Sequence, residues 1–388
     1  MTLSVVALLP APPHPAARNT AARYYAALLT GLSEIGVSSR SLAVDDGSGE
    51  AARDWVRSVP NATLATFAPD VVTRDLGSRL RRLRAPMSDA APVALRDALD
   101  RELAAGYDVL HVEEAHLGRL SAGRANAVLS VLHSEARDSR AASGDGMRAA
   151  LRRARTIRAE RIVLRMQLNI RTISRELAED VRAAGAAAPI TVVPLSLGLA
   201  EYEFRPSGRP PTVGLIGSMT WPPNRAAALR LMKDVWPVVI RAHPTAELLV
   251  AGWRADTLES AAVGLPNVTV LSDLPDHRSF FDRVGLLAFP IDVGSGMKVK
   301  VLESMALGVP VVTTPAGVEG LRPPLERAWY AGSDDRTMAA AIVEALGDEA
   351  EREARARRAR RLVDEQCSPR AVATQLVELY ERLKRPIA

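Results

Sequence analysis

The chain has four lysines, and two of them, Lys298 and Lys300, flank Val299 in the run Gly294-Ser295-Gly296-Met297-Lys298-Val299-Lys300-Val301-Leu302-Glu303. Lys233 and Lys384 are the others; every remaining cationic side chain of fixed charge is an arginine. The run follows an apolar stretch, Gly285 to Pro290, and opens a helical pattern, Val299 to Leu307. A strand, a glycine-rich turn and a helix start, in that order, present unpaired backbone N–H groups and the positive end of a helix dipole. That is chemistry for a phosphate or diphosphate, and the lysines add compact positive charge beside it. The two lysines are not expected to face the same way, because residues two apart on a helix diverge.

Other residues with usable chemistry stand where apolar runs end. His133 closes one such run, beside Ser134 and Glu135, where an imidazole could hydrogen-bond or orient a substrate. Glu113 and Glu114 close another and could act on an acceptor. His14 lies in the Pro-rich loop Pro10 to Pro15, with Arg18 and Asn19 just after it. Gly217-Ser218-Met219 ends a further run, and its small residues would let a ligand approach the backbone. Asn224 then reads equally as a helix cap or a ligand contact. Ser272 and Leu274 follow yet another run. Each has a plain structural alternative: a satisfied histidine, an ordinary strand-to-helix turn, a lysine at a helix start, or an acid stabilised by the helix dipole.

The elements that would position these groups alternate between the two basic periodicities. Strand patterns cover Leu3 to Leu9, Ser41 to Val44, Ala62 to Phe67, Val109 to Val112, Ala127 to Leu132, Arg171 to Ser174 and Thr191 to Pro194. Helical patterns lie between several of them, notably Asn19 to Ile35, Val93 to Ala105 and Met147 to Leu168. The stretch Glu201 to Pro211 breaks the pattern and reads as a linker. A second series follows: strands Val213 to Ile216, Glu247 to Ala251, Val268 to Leu271, Leu286 to Phe289 and Val309 to Thr313, with helices from Asn224 to Ile240 and from Val299. Glu349 to Leu383 is helical and charged, with a break at Ser368-Pro369. Such alternation predicts an α/β chain of two doubly wound, Rossmann-like domains with a cleft between them as the expected site. The expected boundaries are 1–205, 211–366 and a C-terminal helix over 367–388.

Composition narrows the class. A chain of 388 residues with 47% hydrophobic and 24% charged residues fits a globular protein of two domains. Aromatics are only 4%, so the core must be built from Ala, Val and Leu. The Arg- and Ala-rich, Lys-poor usage suggests GC-rich, actinobacterial coding. The single cysteine, Cys367, excludes an intrachain disulfide framework and a Cys-rich metal site. No signal-peptide pattern and no apolar run of membrane-spanning length are visible, so a cytoplasmic location is expected. Net charge is +5, with basic clusters at Arg74 to Arg84, Arg148 to Arg165 and Arg352 to Arg361. These read first as solvated helix faces, and secondly as a surface for peripheral membrane contact or an anionic acceptor. No aromatic residues interleave them, which argues against nucleic acid.

From Thr212 to Leu321 the motifs themselves resemble a known pattern: Gly214 to Asn224, Leu249-Val250-Ala251-Gly252, Gly294 to Glu303, Ser304 to Thr314 and Gly317-Val318-Glu319-Gly320-Leu321. In order and spacing they look like the nucleotide-sugar-binding domain of family-four retaining glycosyltransferases of the GT-B fold. Tyr107 to Glu113, Leu132 to Ala136 and Thr191 to Ser196 agree more loosely. The resemblance implies a nucleotide-sugar donor on the second domain, an acceptor mainly on the first, retention at the anomeric carbon, and no cofactor or essential metal. It also implies a C-terminal helix that returns to the first domain. It makes Glu303, read as lying in the first helical turn, the ribose anchor. His133, Lys298 and Glu303 become the catalytic candidates, and Lys298 and Lys300 neutralise the diphosphate. Gly217, Ser218, Met219, Asn224, Ser272, Leu274 and Gly294 to Met297 become donor contacts, with the base near Ser272 to Leu274. His14, Asn19, Glu113 and Glu114 are left for the acceptor.

The sequence departs from that pattern twice. Many relatives carry a glutamate touching the sugar eight residues before Glu303, where Ser295 stands here; one fewer polar hook would suit a deoxysugar. Relatives usually have glycine in the first loop, where Ala11, His14, Ala16 and Ala17 stand. The expected acceptor is a small molecule, such as a natural-product aglycone or sugar intermediate, with a lipid or polysaccharide precursor second. A nucleotide-sugar epimerase and a binding protein without transfer activity are the rivals.

Overall fold

The computed structural model describes residues 3–70, 87, 90–141, 146–272, 274, 276–323 and 327–384. The basic cluster Arg74 to Arg84 lies outside the described residues. The chain forms two compact units. The first comprises residues 1–135, 145–198 and 367–388; the second comprises 136–144 and 199–366.

The first unit is built on β1 (Ser4–Leu9), β2 (Ser38–Val44), β3 (Ala62–Phe67), β4 (Val109–Glu113), β5 (Ala127–Val131), β6 (Ile170–Thr172) and β7 (Ile190–Val192). They form one parallel sheet in the order β3-β2-β1-β4-β5-β6-β7. Every residue of β4 and β5 is buried, which is the continuous burial that a parallel sheet covered on both faces requires. The order reverses between β1 and β4, and such switch points place ligands outside the carboxyl ends of the strands. Here those ends lead into the Pro-rich loop after Leu9 and into Glu113-Glu114.

The second unit repeats the scheme with β8 (Thr212–Ile216), β9 (Glu247–Ala251), β10 (Val268–Leu271), β11 (Leu286–Phe289), β12 (Val311–Thr313) and β13 (Tyr330–Ala331). The order is β10-β9-β8-β11-β12-β13, again parallel. Its switch point falls between β8 and β11. The two turns singled out above, after Ile216 and after Phe289, both leave from that point. The sequence pattern shows no β13. It is two residues long, pairs only with β12, and is too short to display a period.

The core is aliphatic, as the composition requires: Val5, Leu8, Leu29, Val112 and Leu129 in the first unit, and Val213, Leu215, Leu248, Val301 and Val312 in the second, are 2% exposed or less. The chain then comes back. The Glu349–Cys367 helix belongs to the second unit up to Gln366, and the Pro369–Lys384 helix lies in the first. There it packs along the Thr20–Glu34 helix. Tyr380 of this last helix is fully buried and hydrogen bonded to His111 on β4, and Lys384 reaches Asp108 at 3.1 Å.

Gly31 marks the closest approach of these two helices: a Cβ added there would run into the Pro369 carbonyl oxygen. Gly31→Ala gains about 1 kcal/mol of helix propensity but forces two backbones apart, at about 1–3 kcal/mol. The clash is expected to win. The urea midpoint of the variant should fall; an unchanged or higher midpoint would contradict this packing.

Candidate functional site

In the second unit, the turn after β8 and the helix after β11 meet at Lys300. Its ammonium donates to Asn224 Oδ1 and lies 4.4 Å from the centre of the Phe289 ring and 5.8 Å from that of Trp221. Asn224 Nδ2 in turn donates to the Ser218 carbonyl at 3.0 Å. Asn224 is not the cap: Trp221 holds that position and Asn224 is the third helical residue, with its side chain engaged by the loop and the lysine. Gly217 is glycine for a local reason. A Cβ there would lie 2.5 Å from Asn224 Nδ2 and 2.7 Å from Lys300 Nζ.

Burial pushes the Lys300 ammonium down to about 7, and the nearby Lys298 charge adds to the shift while Glu303 opposes it. The residue as a whole keeps some exposure. A neutral amide and two aromatic faces stabilise a cation modestly. Among the described residues no carboxylate forms an ion pair with Lys300.

The turn before the Val299–Leu307 helix is arranged differently from the expectation. Ser295 donates to Asp138 Oδ1 twice, from its backbone N–H at 2.6 Å and its hydroxyl at 2.8 Å. The Gly296 N–H donates to Glu319 Oε1 at 3.0 Å. Arg137 donates to Glu319 Oε2 at 2.6 Å, and Trp221 Nε1 donates to Asp138 Oδ2 at 3.1 Å. The turn does attract anions, and here it holds two carboxylates of its own chain. Nor is it short of polar hooks, as Ser295 alone suggests. Gly294, at φ +154, is pressed by Ile291, Trp221 and Pro223, and a Cβ would lie 2.8 Å from Ile291. Met297 is buried beside it.

Lys298 and Lys300 diverge, as helical geometry demands. The Lys298 ammonium folds back onto the carbonyls of Gly294, at 3.2 Å, and Gly296, and lies 3.5 Å from Glu319. Burial lowers its proton affinity, partly offset by Glu319 and Asp138. Lys298 thus stabilises the turn from beneath, while Lys300 serves the other loop.

Glu303 lies in the second turn of its helix; the first turn has no acid. A dipole-stabilised N-terminal acid therefore does not explain it. It is buried, accepts a hydrogen bond from the Tyr202 hydroxyl at 2.9 Å, and lies 3.8 Å from His277. Ser272 donates to Asp256 Oδ1 at 3.2 Å and accepts from the Asp256 N–H at 2.6 Å. Leu274 is half-buried and Met219 buried; Ser218 pairs with Thr220 through their hydroxyls at 2.7 Å.

In the first unit, Glu113 and Glu114 part company. Glu113 is wholly buried. It accepts from Tyr24 at 2.8 Å, and lies 3.1 Å from His111 Nε2 and 3.5 Å from Arg171. Burial alone would raise its carboxyl, but His111, Arg171 and Tyr24 hold it below its ordinary value. This is a structural network and not a surface for an acceptor. Glu114 sits at the rim with φ +66, an uncommon conformation for this residue type. It accepts from Tyr25 at 2.7 Å and lies 3.5 Å from His116. Burial pushes the His116 imidazole down, Glu114 opposes this, and His133 reinforces it.

His133 is 42% exposed at its side chain and lies 3.4 Å from Glu135, whose carboxyl the hydrogen bond to His133 lowers. His14 organises its own loop: its Nδ1 accepts from the Ala16 N–H at 3.2 Å. Asn19 caps the Thr20–Glu34 helix, accepting from Ala21 N at 2.9 Å. Among the described residues no group of three or more His, Cys, Asp or Glu could hold a metal ion, and no helix is long and apolar enough to cross a membrane. The cluster Arg352 to Arg361 is partly consumed within the second unit. Arg355 stacks 3.7 Å from the Tyr330 ring centre and Arg352 donates to the Ala345 and Leu346 carbonyls.

Asp138, Glu319, Tyr202, Trp221 and His116 escape the sequence reading. Glu319 lies in a quoted motif, but nothing in its spacing shows that it folds back onto Gly296. Asp138 is 157 residues from Ser295 in sequence, and only the tertiary fold joins them.

Residues 210–348 match the family described as Glycosyl transferases group 1. No curated protein matches the sequence. Solved structures match over nearly the whole chain. Sucrose-phosphate synthase from Thermosynechococcus elongatus is 17% identical with a TM-score of 0.67, covering 98% of this chain and 99% of its own. Anabaena HepE, solved in complex with UDP-glucose, is 13% identical with a TM-score of 0.63, covering 98% and 100%. A mutant of S. aureus TarM, solved with UDP among its ligands, is 8% identical with a TM-score of 0.66, covering 97% and 100%. The fold is therefore GT-B, and the second unit carries the family match that supports glycosyltransferase activity. The family matched is described as group 1, and the match does not single out family four.

Lys300 yields a test of its surroundings. Its proton affinity in the fold lies below the ordinary value of 10.5. Between about pH 7 and 10.5 the unfolded chain holds more protons at this site, so its contribution to stability rises with pH and the penalty is full below that window. Lys300→Met should flatten this rise. Relative to wild type, the variant should gain stability at pH 6 compared with pH 10, on the order of 1–3 kcal/mol, in urea unfolding at the two pH values. Parallel pH profiles would show that the ammonium is not desolvated.

Proposed function

We propose that this protein is a retaining, metal-independent glycosyltransferase that moves a sugar from a nucleotide-activated donor to a small-molecule acceptor. The observation that carries the reading is the Lys300 ammonium, buried at the switch point of the second unit with no ion-pair partner among the described residues. A diphosphate would supply that anion. The backbone of Gly217 and Ser218 lies beside it, kept bare by the glycine. Glu303, held by Tyr202, is the ribose anchor: a carboxylate matches a vicinal diol. The loop of Ser272 and Leu274 receives the base. HepE bound to UDP-glucose and TarM bound to UDP support a nucleotide-sugar donor.

In the reaction, the anomeric carbon's bond to the diphosphate oxygen breaks and a bond to the acceptor oxygen forms on the same face. The acceptor proton passes to the departing phosphate. Negative charge grows on the diphosphate as it leaves. A fixed cation at Lys300 stabilises that charge more than the ground state, which is how such a group accelerates the step. Lys298 positions the turn. We assign acceptor recognition to the first unit's loops, with His133, Glu114, His14 and Asn19 as its polar groups. No cofactor enters the scheme.

A second reading, a lipid or lipid-linked acceptor, has one observation in its favour. The Met147–Arg165 helix exposes Met147 (89%) and Leu151 (51%) one turn apart among arginines. An epimerase or a non-catalytic binding protein would be told apart by incubating radiolabelled donor with and without acceptor. Only a transferase makes glycoside; an epimerase alters the sugar alone, and a binding protein alters nothing.

The donor site is tested by thermal shift with UDP, GDP, TDP and ADP and their sugar forms. The correct nucleotide at 100 times its Kd should stabilise the protein by about 2.7 kcal/mol. Glu303→Ala should abolish the response, and Lys300→Met should weaken it for the bare nucleotides and their sugar forms alike, since each carries the diphosphate. A full response in Glu303→Ala would remove the ribose assignment.

A further inference from the structure

Two anions cannot share one cradle. The N–H groups of Ser295 and Gly296 already donate to Asp138 and Glu319, so a diphosphate placed on them would meet two carboxylates at close range. A neutral ligand rich in hydroxyls meets the opposite condition, because hydroxyls donate and carboxylates accept. The site therefore divides chemically: a cationic end at Lys300, and an acceptor-rich end at the Ser295 turn. Trp221 joins them. Its ring carries the Lys300 ammonium at 5.8 Å from its centre, and its Nε1 donates to Asp138. A diphosphate joined to a sugar has the same polarity.

We propose that Asp138 is a specificity-determining residue that accepts a hydroxyl of the transferred sugar. The inference rests on the donor reading above and deepens it. A carboxylate offers about four acceptor positions. Three of Asp138's are filled, by the Ser295 N–H, the Ser295 hydroxyl and Trp221 Nε1, and one remains on Oδ2. The clamp fixes the carboxylate's orientation, and its 8% exposure keeps competing water scarce. Both features strengthen a charge-assisted hydrogen bond to a ligand. Asp138 arrives from the short 136–144 segment, which Arg137 also ties to this unit through Glu319. The sugar so recognised carries a hydroxyl at the matching position; a deoxysugar lacking it would leave Asp138 short of a donor.

The experiment compares UDP, GDP, TDP and ADP with their hexose forms by calorimetry, for wild type, Asp138→Asn and Arg137→Ala. For the nucleotide that wild type binds, Asp138→Asn should keep the bare diphosphate's affinity within about threefold and weaken the sugar form by about 10- to 100-fold. Arg137→Ala loosens the segment but keeps the carboxylate, so it should leave the difference between the two forms intact. Equal loss for both forms, no loss, or the same selective loss in Arg137→Ala would overturn the assignment in favour of a segment pin. Asp138→Ser is read the same way should Asp138→Asn not fold. A wild type that binds no nucleoside diphosphate would remove the donor reading itself and this inference with it.

Discussion

A buried ammonium that forms no ion pair among the described residues is the constraint around which the second unit's site is organised. A lysine would ordinarily swing to water or pair with an acid. Lys300 does neither. Asn224, Phe289 and Trp221 hold it against the β8 turn, and Gly217 must stay glycine to leave it room. The available acids are engaged elsewhere: Glu319 with Arg137, Lys298 and Gly296, Asp138 with Ser295 and Trp221, Glu303 with Tyr202. Among the described residues none of these acids forms an ion pair with Lys300, and Glu303 acts on it only through its field. Such an arrangement gives up some folding stability, and it is the ground on which an anion from outside is proposed to bind there.

The topology explains why this happens at that place. Reversal of strand order between β8 and β11 opens a crevice at their carboxyl ends, and both turns that matter leave from it. Sequence alone carried this far, because buried parallel strands appear as short apolar runs and the turns between them as glycine and proline. The strands from Leu3 through Phe289 fall within a few residues of the expected runs. The GT-B assignment likewise rests on motifs that are local in sequence.

What stayed hidden was tertiary pairing. A glycine-rich turn before a helix announces an anion site, but not that Asp138 and Glu319 fill it. Glu113 and Glu114 are adjacent and chemically identical, yet strand alternation sends one into a network with His111 and Arg171 and leaves the other at a strained rim position. Ser295 looked like a lost polar contact because the acid bonded to it comes from the far half of the chain. Glu303 was placed one turn too early although the helix begins at Val299 as expected: it is the fifth helical residue, beyond a first turn of about 3.6 residues.

The path of the chain also bears on how it is made. The first unit needs its final helix: Tyr380 is buried against β4, and Pro369 seats on Gly31. Those residues follow the second unit's sheet in the chain, whose last strand ends at Ala331. On the ribosome, the N-terminal sheet must therefore wait, with one helix face uncovered, while the later half of the polypeptide matures. The order of birth is the reverse of the order of completion.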